Sequence, residues 1–179
     1  MRLLVHMCCG PCSVYPLKKA LEGKMEVWGY FYNPNIHPYT EYKKRLDAVK
    51  ILAYTMELKV IYNDSYDMEE FLRNTIGDIE GRCAYCYTTR LDSTAMAAKE
   101  HGFDLFSTSI LYSRHQKHDL TRRIGEEAAR KHDVPFYYED FRSGWKEGIK
   151  SSKEMGLYRQ QYCGCIYSEK ERYLGAPSR

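Results

Sequence analysis

The chain has 179 residues, 44% of them apolar and 28% charged, and its 27 Lys and Arg against 24 Asp and Glu leave a formal charge of +3. That length suits one domain able to bury a core without disulfide staples, and the mild positive balance permits an anionic partner without demanding one. No run approaches the about 18 apolar residues of a membrane span, and the apolar start Met1–Met7 is broken by His6 well short of a signal-peptide core, so a cytoplasmic protein away from membranes is expected.

Arg2–Met7 reads as a first strand that stops at Cys8-Cys9-Gly10-Pro11-Cys12-Ser13. Ser13 is placed to cap a helix running to about Glu22, with Gly23 as its stop. Glu26–Tyr32, rich in aromatic and β-branched residues, predicts a second strand. The loop Asn33-Pro34-Asn35-Ile36-His37-Pro38 follows, its prolines and asparagines biasing the backbone toward turns. After Thr40, the spacing of Leu46, Val49, Leu52 and Ala53 predicts a helix to about Glu57, and Lys59–Tyr62 a third strand. Met68–Ile76 is a short helix leading into a turn at Gly81-Arg82-Cys83. Tyr87–Glu100 is a further helix with Gly102 past its end, and Asp104–Ser107 a fourth strand. Helix Leu120–Lys131 and a short strand near Pro135–Tyr138 complete the regular part; from Phe141 onward irregular chain or short helices are expected. Strand–helix–strand units repeated in this way predict an α/β, Rossmann-like parallel sheet with right-handed connections. The chain is expected to form a single domain, with a core over about residues 1–140 and a C-terminal extension over about 141–179.

Seven cysteines in a reducing compartment are not a disulfide framework, and an odd number cannot pair completely. They fall into three groups, Cys8-Cys9-x-x-Cys12, Cys83-x-x-Cys86 and Cys163-Gly164-Cys165, where cysteines kept for packing would be scattered singly. The first group directly follows the first strand, the place where an open parallel sheet binds ligands. A nucleotide-binding chain would carry a glycine-rich phosphate loop there; neither G-x-x-x-x-G-K-[ST] nor G-x-G-x-x-G occurs anywhere in this sequence. Cys83 and Cys86 lie at the mouth of a helix, whose dipole favours thiolate. Cys8 and Cys9 with Cys83 and Cys86 make four thiolates, enough for an iron–sulfur cluster or a tetrahedral zinc site, and spacing leaves both open. Cys163 and Cys165 are then either further metal ligands or a redox pair, since a C-x-C disulfide closes a small strained ring that reduces easily. Cys12 is left over: a substitute ligand, a ligand of a second metal, or a buried small residue.

Six segments resemble the epoxyqueuosine reductase QueH family: H-M-C-C-G-P-C-S at His6–Ser13, N-P-N-I-H-P-Y-T-E-Y at Asn33–Tyr42, R-C-A-Y-C-Y-T-T-R-L at Arg82–Leu91, F-S-T-S-I at Phe106–Ile110, D-F-R at Asp140–Arg142, and Y-R-Q-Q-Y-C-G-C-I-Y-S at Tyr158–Ser168. The resemblance implies the Rossmann-like architecture of PP-loop tRNA-modifying enzymes, and reduction of the epoxide of epoxyqueuosine at a tRNA wobble position to a cyclopentene with loss of water. It implies a [4Fe–4S] cluster on Cys8, Cys9, Cys83 and Cys86, and a redox-active disulfide between Cys163 and Cys165. A cluster with four thiolate ligands has no vacant iron, so the leaving oxygen needs a second metal beside the cluster or a general acid, with Cys12 a candidate.

Loops leaving the carboxyl ends of strands supply the expected substrate contacts: Asn33, Asn35, His37, Tyr42 and Arg45 after the second strand, then Tyr112, Arg114, Gln116 and His118 after the fourth, and Arg142 in D-F-R. Lys43-Lys44-Arg45 and Arg122-Arg123 would meet tRNA phosphates, making binding salt-sensitive. The sequence leaves the electron donor unidentified. Three rivals share parts of this pattern. An iron–sulfur tRNA thiolation enzyme would need an S-G-G-x-D-S loop, which is absent. An electron-transfer subunit of the heterodisulfide reductase kind has different cysteine spacing, and a zinc-stabilised nucleic-acid-binding domain needs no redox pair.

Overall fold

The computed structural model describes residues 1–175. Its elements are β1 (Arg2–His6), α1 (Gly10–Glu22), β2 (Glu26–Phe31), α2 (Tyr39–Thr55), β3 (Val60–Tyr62), α3 (Met68–Thr75), α4 (Arg82–Glu100), β4 (Leu105–Thr108), α5 (His118–His132), α6 (Trp145–Glu154) and α7 (Ile166–Leu174). The strands pair in the order β3-β2-β1-β4, all parallel. The expected α/β sheet is therefore present, and its helices lie on both faces.

β1 shows why. Leu3 and Val5 are buried with Val14 and Leu17 of α1 and Leu46, Val49 and Leu52 of α2. Leu4, pointing the other way as the strand period of two requires, joins Leu91, Ala95 and Ala98 of α4 and Ile124 and Ala128 of α5. Both faces of the central strand are covered, so it reads as a continuous apolar run rather than an alternating one. Each fully buried leucine of this kind contributes roughly 1.5–3 kcal/mol. After β3 the chain returns across the sheet to place β4 on the far side of β1. The carboxyl ends of β1 and β4 thus flank the switch point of the topology, where such sheets bind ligands.

Three local expectations differ from the structure. α1 begins at Gly10, with Pro11 in its first turn and Cys9 as N-cap; proline pre-sets the first helical turn, so Ser13 is already inside the helix and donates to the Cys9 carbonyl at 2.7 Å. α4 begins at Arg82, which turns the expected Gly81-Arg82-Cys83 bend into helix and puts Cys83 and Cys86 in its opening turns. Pro135–Tyr138 forms one parallel bridge, Phe106 to Phe136, instead of a strand; Pro135 has no N–H to extend the ladder. Beyond Phe141 the expected short helices are present as α6 and α7. α6 is fastened to α1 by a Lys18–Glu147 ion pair and by Gly144, where a Cβ would strike the Tyr15 ring.

Candidate active site

Over the carboxyl ends of β1 and β4 lies a cleft of about 580 Å³, lined among others by Cys8, Cys12, Cys86, Tyr112, Gln116 and Cys163, a volume suited to a nucleoside-sized ligand. Its floor is the loop after β1. The Cys8 backbone N–H donates to Ser109 Oγ at 3.0 Å, and that hydroxyl donates to Cys8 Sγ at 3.3 Å. Ser109 opens the short 3-10 turn after β4, so the two strand ends at the switch point hold each other. Beneath them His6 is fully buried. Its Nε2 faces two acceptors, the Tyr32 carbonyl and Asn33 Oδ1, each at 3.2 Å, and its Nδ1 lies 3.0 Å from Thr108 Oγ1. Burial holds its pKa at about 4, so it is neutral, with the proton on Nε2.

The sulfurs of Cys8, Cys9 and Cys12 lie within 4.8 Å of one another, the one such metal-capable group among the described residues. Thiolates on a single tetrahedral ion sit about 3.8 Å apart, from a metal–sulfur bond of about 2.3 Å, so this trio can hold a metal ion. Hydrogen bonds from the Cys12 and Cys9 thiols draw Cys8 well below its ordinary range; the bond to Cys8 pushes Cys12 up, and burial pushes Cys9 up. Within the trio thiolate is therefore favoured at Cys8 over its two neighbours, and the N-terminus of α1 favours it too. Gln160 Nε2 donates to Cys9 Sγ at 3.0 Å and Cys12 Sγ at 3.3 Å.

Cys83 and Cys86, three residues apart on α4, share a helix face and pack with Cys8 against the α4–α5 core. Burial raises both, Cys86 to about 11. The close trio contains Cys12, and neither Cys83 nor Cys86 belongs to it; a cluster, whose irons stand between its ligands, needs its thiolates further apart than a single ion does.

Cys163 also lines the cleft, and both it and Cys165 are free thiols. Gln116 Nε2 donates to Cys163 Sγ at 3.1 Å, Tyr87 donates its hydroxyl to Gln116 Oε1 at 2.6 Å, and the Lys117 N–H donates to Tyr87 at 3.2 Å. The backbone of the C-x-C loop is held by Arg45, whose Nη1 and Nη2 donate to the Cys163 and Tyr162 carbonyls at 2.7 and 3.0 Å. His37 is its second anchor: its N–H donates to the Gly164 carbonyl at 2.7 Å, and its Nδ1 accepts from the Ile166 N–H at 3.2 Å.

Of the ten expected substrate contacts, Arg45, Tyr112 and Gln116 line the cleft. Asn33, Asn35, His37 and Tyr42 are buried and face inward: Asn33 bonds the Met7 carbonyl and His6, Asn35 accepts from Arg90, and Tyr42 donates to Asp64. They shape the walls. Arg114 stacks over Trp145, His118 Nε2 meets the Tyr138 hydroxyl, and Arg142 pairs with Asp140, whose carboxyl it holds at about 2. Arg45 is almost wholly buried, which removes it from the expected phosphate-binding run Lys43-Lys44-Arg45. Arg122 and Arg123 remain exposed, each within reach of a glutamate one turn on. Sequence reading passed over Arg159, Gln160, Tyr87 and Ser109; nearness to C-x-C and C-x-x-C, a few residues along the chain, is the signal that would have found the first three.

Residues 3–171 match the family model described as epoxyqueuosine reductase QueH. The chain is 41% identical over 177 residues to the epoxyqueuosine reductase QueH of Dehalococcoides mccartyi, covering 99% of this chain and 97% of that protein. It is 35% identical over 180 residues to the protein of the same name in Thermotoga maritima, covering 95% and 91%. Among solved structures, a deacetylase–teicoplanin complex shares 13% identity at a TM-score of 0.49, over 88% of this chain and 89% of that one.

Proposed function

This chain belongs to the epoxyqueuosine reductase QueH family, and from that premise we propose that it reduces the epoxide of epoxyqueuosine at a tRNA wobble position to the cyclopentene of queuosine, with a [4Fe–4S] cluster and a redox-active Cys163–Cys165 pair. It is an oxidoreductase of queuosine biosynthesis. No helix among the described residues is long and apolar enough to cross a membrane. The single observation that carries the finer reading is the cleft, which Cys8, Cys12, Cys86 and Cys163 all line.

Removing the epoxide oxygen as water consumes two electrons and two protons. A dithiol closing to a disulfide releases the same number of each. Epoxide plus the Cys163–Cys165 dithiol therefore balances to alkene, water and disulfide, and an external reductant restores the dithiol. Burial pushes the Cys163 thiol up, and Gln116, oriented by Tyr87, donates to its sulfur and works against that rise, toward the thiolate that reacts. Cys8, Cys9, Cys83 and Cys86 are the proposed cluster ligands. The fit rests on an all-thiol donor set in which Cys8 is already drawn toward thiolate and the α4 pair sits at a helix N-terminus. Bound there, a cluster supplies electrons one at a time. Cys12, within the three-sulfur group, is the proposed contributor to a second metal beside it. The division of labour is a core ending near Asp140 and a redox tail beyond it, and Lys43, Lys44, Arg122 and Arg123 meet the tRNA backbone.

Protein purified without oxygen should contain iron and inorganic sulfide in equal amounts, and with dithionite it should convert epoxyqueuosine tRNA to queuosine, read by nucleoside mass spectrometry. Unchanged epoxyqueuosine with metal-loaded protein refutes the reaction. In a single turnover without added reductant, C163S and C165S should both be inactive; turnover equal to the parent chain would remove the pair from the cycle.

A further inference from the structure

The arginines lining the cleft do not spend their donors equally. Arg45 is committed to Glu41 and two backbone carbonyls. Arg90 places its Nε and Nη2 on Asn35 Oδ1, and Arg172 is exposed. Arg159 is half-buried, and its Nη1 is shut off from solvent with no hydrogen-bond partner among the described residues. A buried guanidinium N–H without an acceptor is costly, and native proteins keep such groups where a ligand completes them.

The surroundings of Arg159 say what kind of ligand. Its charge reaches the Tyr112 phenol, whose hydroxyl already donates to the Trp145 carbonyl at 3.0 Å. The next residue, Gln160, rests on Cys9 and Cys12. A planar cation therefore stands in the cleft wall beside the thiol trio, with a donor to spare and, among the described residues, no carboxylate paired to it. We infer that Arg159 is an oxyanion receptor, binding a negatively charged oxygen of the RNA substrate next to Cys12 and Tyr112. That oxygen comes either from a phosphodiester flanking the modified nucleotide or from the ring oxygen as its carbon–oxygen bond breaks. In both cases Arg159 stabilises charge and donates no proton, because a guanidinium stays protonated throughout. The inference rests on the function proposed above.

The test compares the full-length, metal-loaded parent chain with Arg159→Met and Arg159→Lys on epoxyqueuosine tRNA, measuring kcat, KM and tRNA affinity over a range of salt. If Arg159 holds the leaving oxygen, R159M lowers kcat by about 10²-fold, the usual effect of losing one oxyanion donor, with affinity and salt dependence unchanged. If it holds a phosphate, R159M raises KM, and the slope of log affinity against log salt falls by about one, with kcat retained. R159K recovers part of the loss in either case. Kinetics and affinity equal to the parent chain overturn the inference; so does a loss that tracks lower iron content and is no smaller in R159K, since that marks a packing role. Should the parent chain itself fail to convert the tRNA, the proposed reaction falls, and Arg159 is judged on binding alone: unchanged affinity and salt slope in R159M overturn it.

Discussion

Arg45 gives the sharpest test of how the C-x-C loop is held. Its guanidinium is 1% exposed and forms three bonds with three different partners: Glu41 Oε1 at 2.8 Å, the Cys163 carbonyl at 2.7 Å and the Tyr162 carbonyl at 3.0 Å. Only a planar fork reaches all three; a lysine ammonium at this place meets one or two. Removing the side chain as Arg45→Met leaves Glu41 buried with the Tyr158 hydroxyl as its remaining donor, and breaking a buried pair in this way costs about 3–5 kcal/mol. R45M should therefore lower the urea midpoint by that amount divided by the m-value and speed alkylation of Cys163 in the dithiol form. Replacing Glu41 as well, in an Arg45→Met/Glu41→Gln double variant, removes the stranded charge and should recover part of the loss, a coupling that a double-mutant cycle reads directly. A destabilisation under about 1 kcal/mol, or Cys163 alkylation as slow as in the parent chain, would refute the clamp.

Two further outcomes follow from the packing and the buried histidines. Gly148 of α6 faces Tyr112, and a Cβ there would lie 2.4 Å from its hydroxyl oxygen; Gly148→Ala should cost about 1–3 kcal/mol by overpacking and slow turnover by displacing Tyr112, with iron content unchanged, whereas a variant as stable and active as the parent would show that the contact is loose. His6 and His37 are both held by burial at about 4, against 6.5 in an exposed histidine, so the unfolded chain takes up protons that the folded chain refuses. Stability from these groups is complete above about pH 6.5 and is lost as the pH falls toward 4, by about 3 kcal/mol for His6; urea midpoints that stay flat between pH 7 and pH 5 would contradict this.

The sheet was legible because its central strands are buried on both faces and its helices carry strong apolar periods; Leu46, Val49 and Leu52 announced α2 without help. What failed did so at boundaries and in side-chain direction. Capping α1 at Ser13 left the place of Cys12 open, because only a helix starting at Gly10 puts Cys12 one turn beyond Cys9 and brings their sulfurs together. Likewise the Asn33–His37 loop was located correctly at a strand end, but strand order says which loop borders a ligand, not which way its side chains turn. Asn33 and His37 turn inward because His6 and the C-x-C backbone leave polar groups that only they can satisfy. Arg159 and Gln160 lie in irregular chain, where no period distinguishes a site residue from a solvated one.

The same contrast separates the two halves of the site. Cys8 and Cys9 lie just before α1, and Cys12, Cys83 and Cys86 lie in the opening turns of α1 and α4, so local structure fixes their spacing. Cys163 and Cys165 precede α7 in a loop anchored by polar bonds to Arg45, His37 and Gln116, residues far away in sequence. Segments held by few apolar contacts open at lower cost than helices packed on a core. A pair that passes electrons to a substrate and then takes them from an external donor needs that property, since the two partners must reach it in turn. Gly164 adds the means: its φ of 149° and a would-be Cβ 3.1 Å from Arg45 Nη1 admit no side chain, so the loop can draw its two sulfurs together while Arg45 keeps hold of the Cys163 carbonyl. On the proposed cycle, the tail moves electrons and the sheet edge stays still.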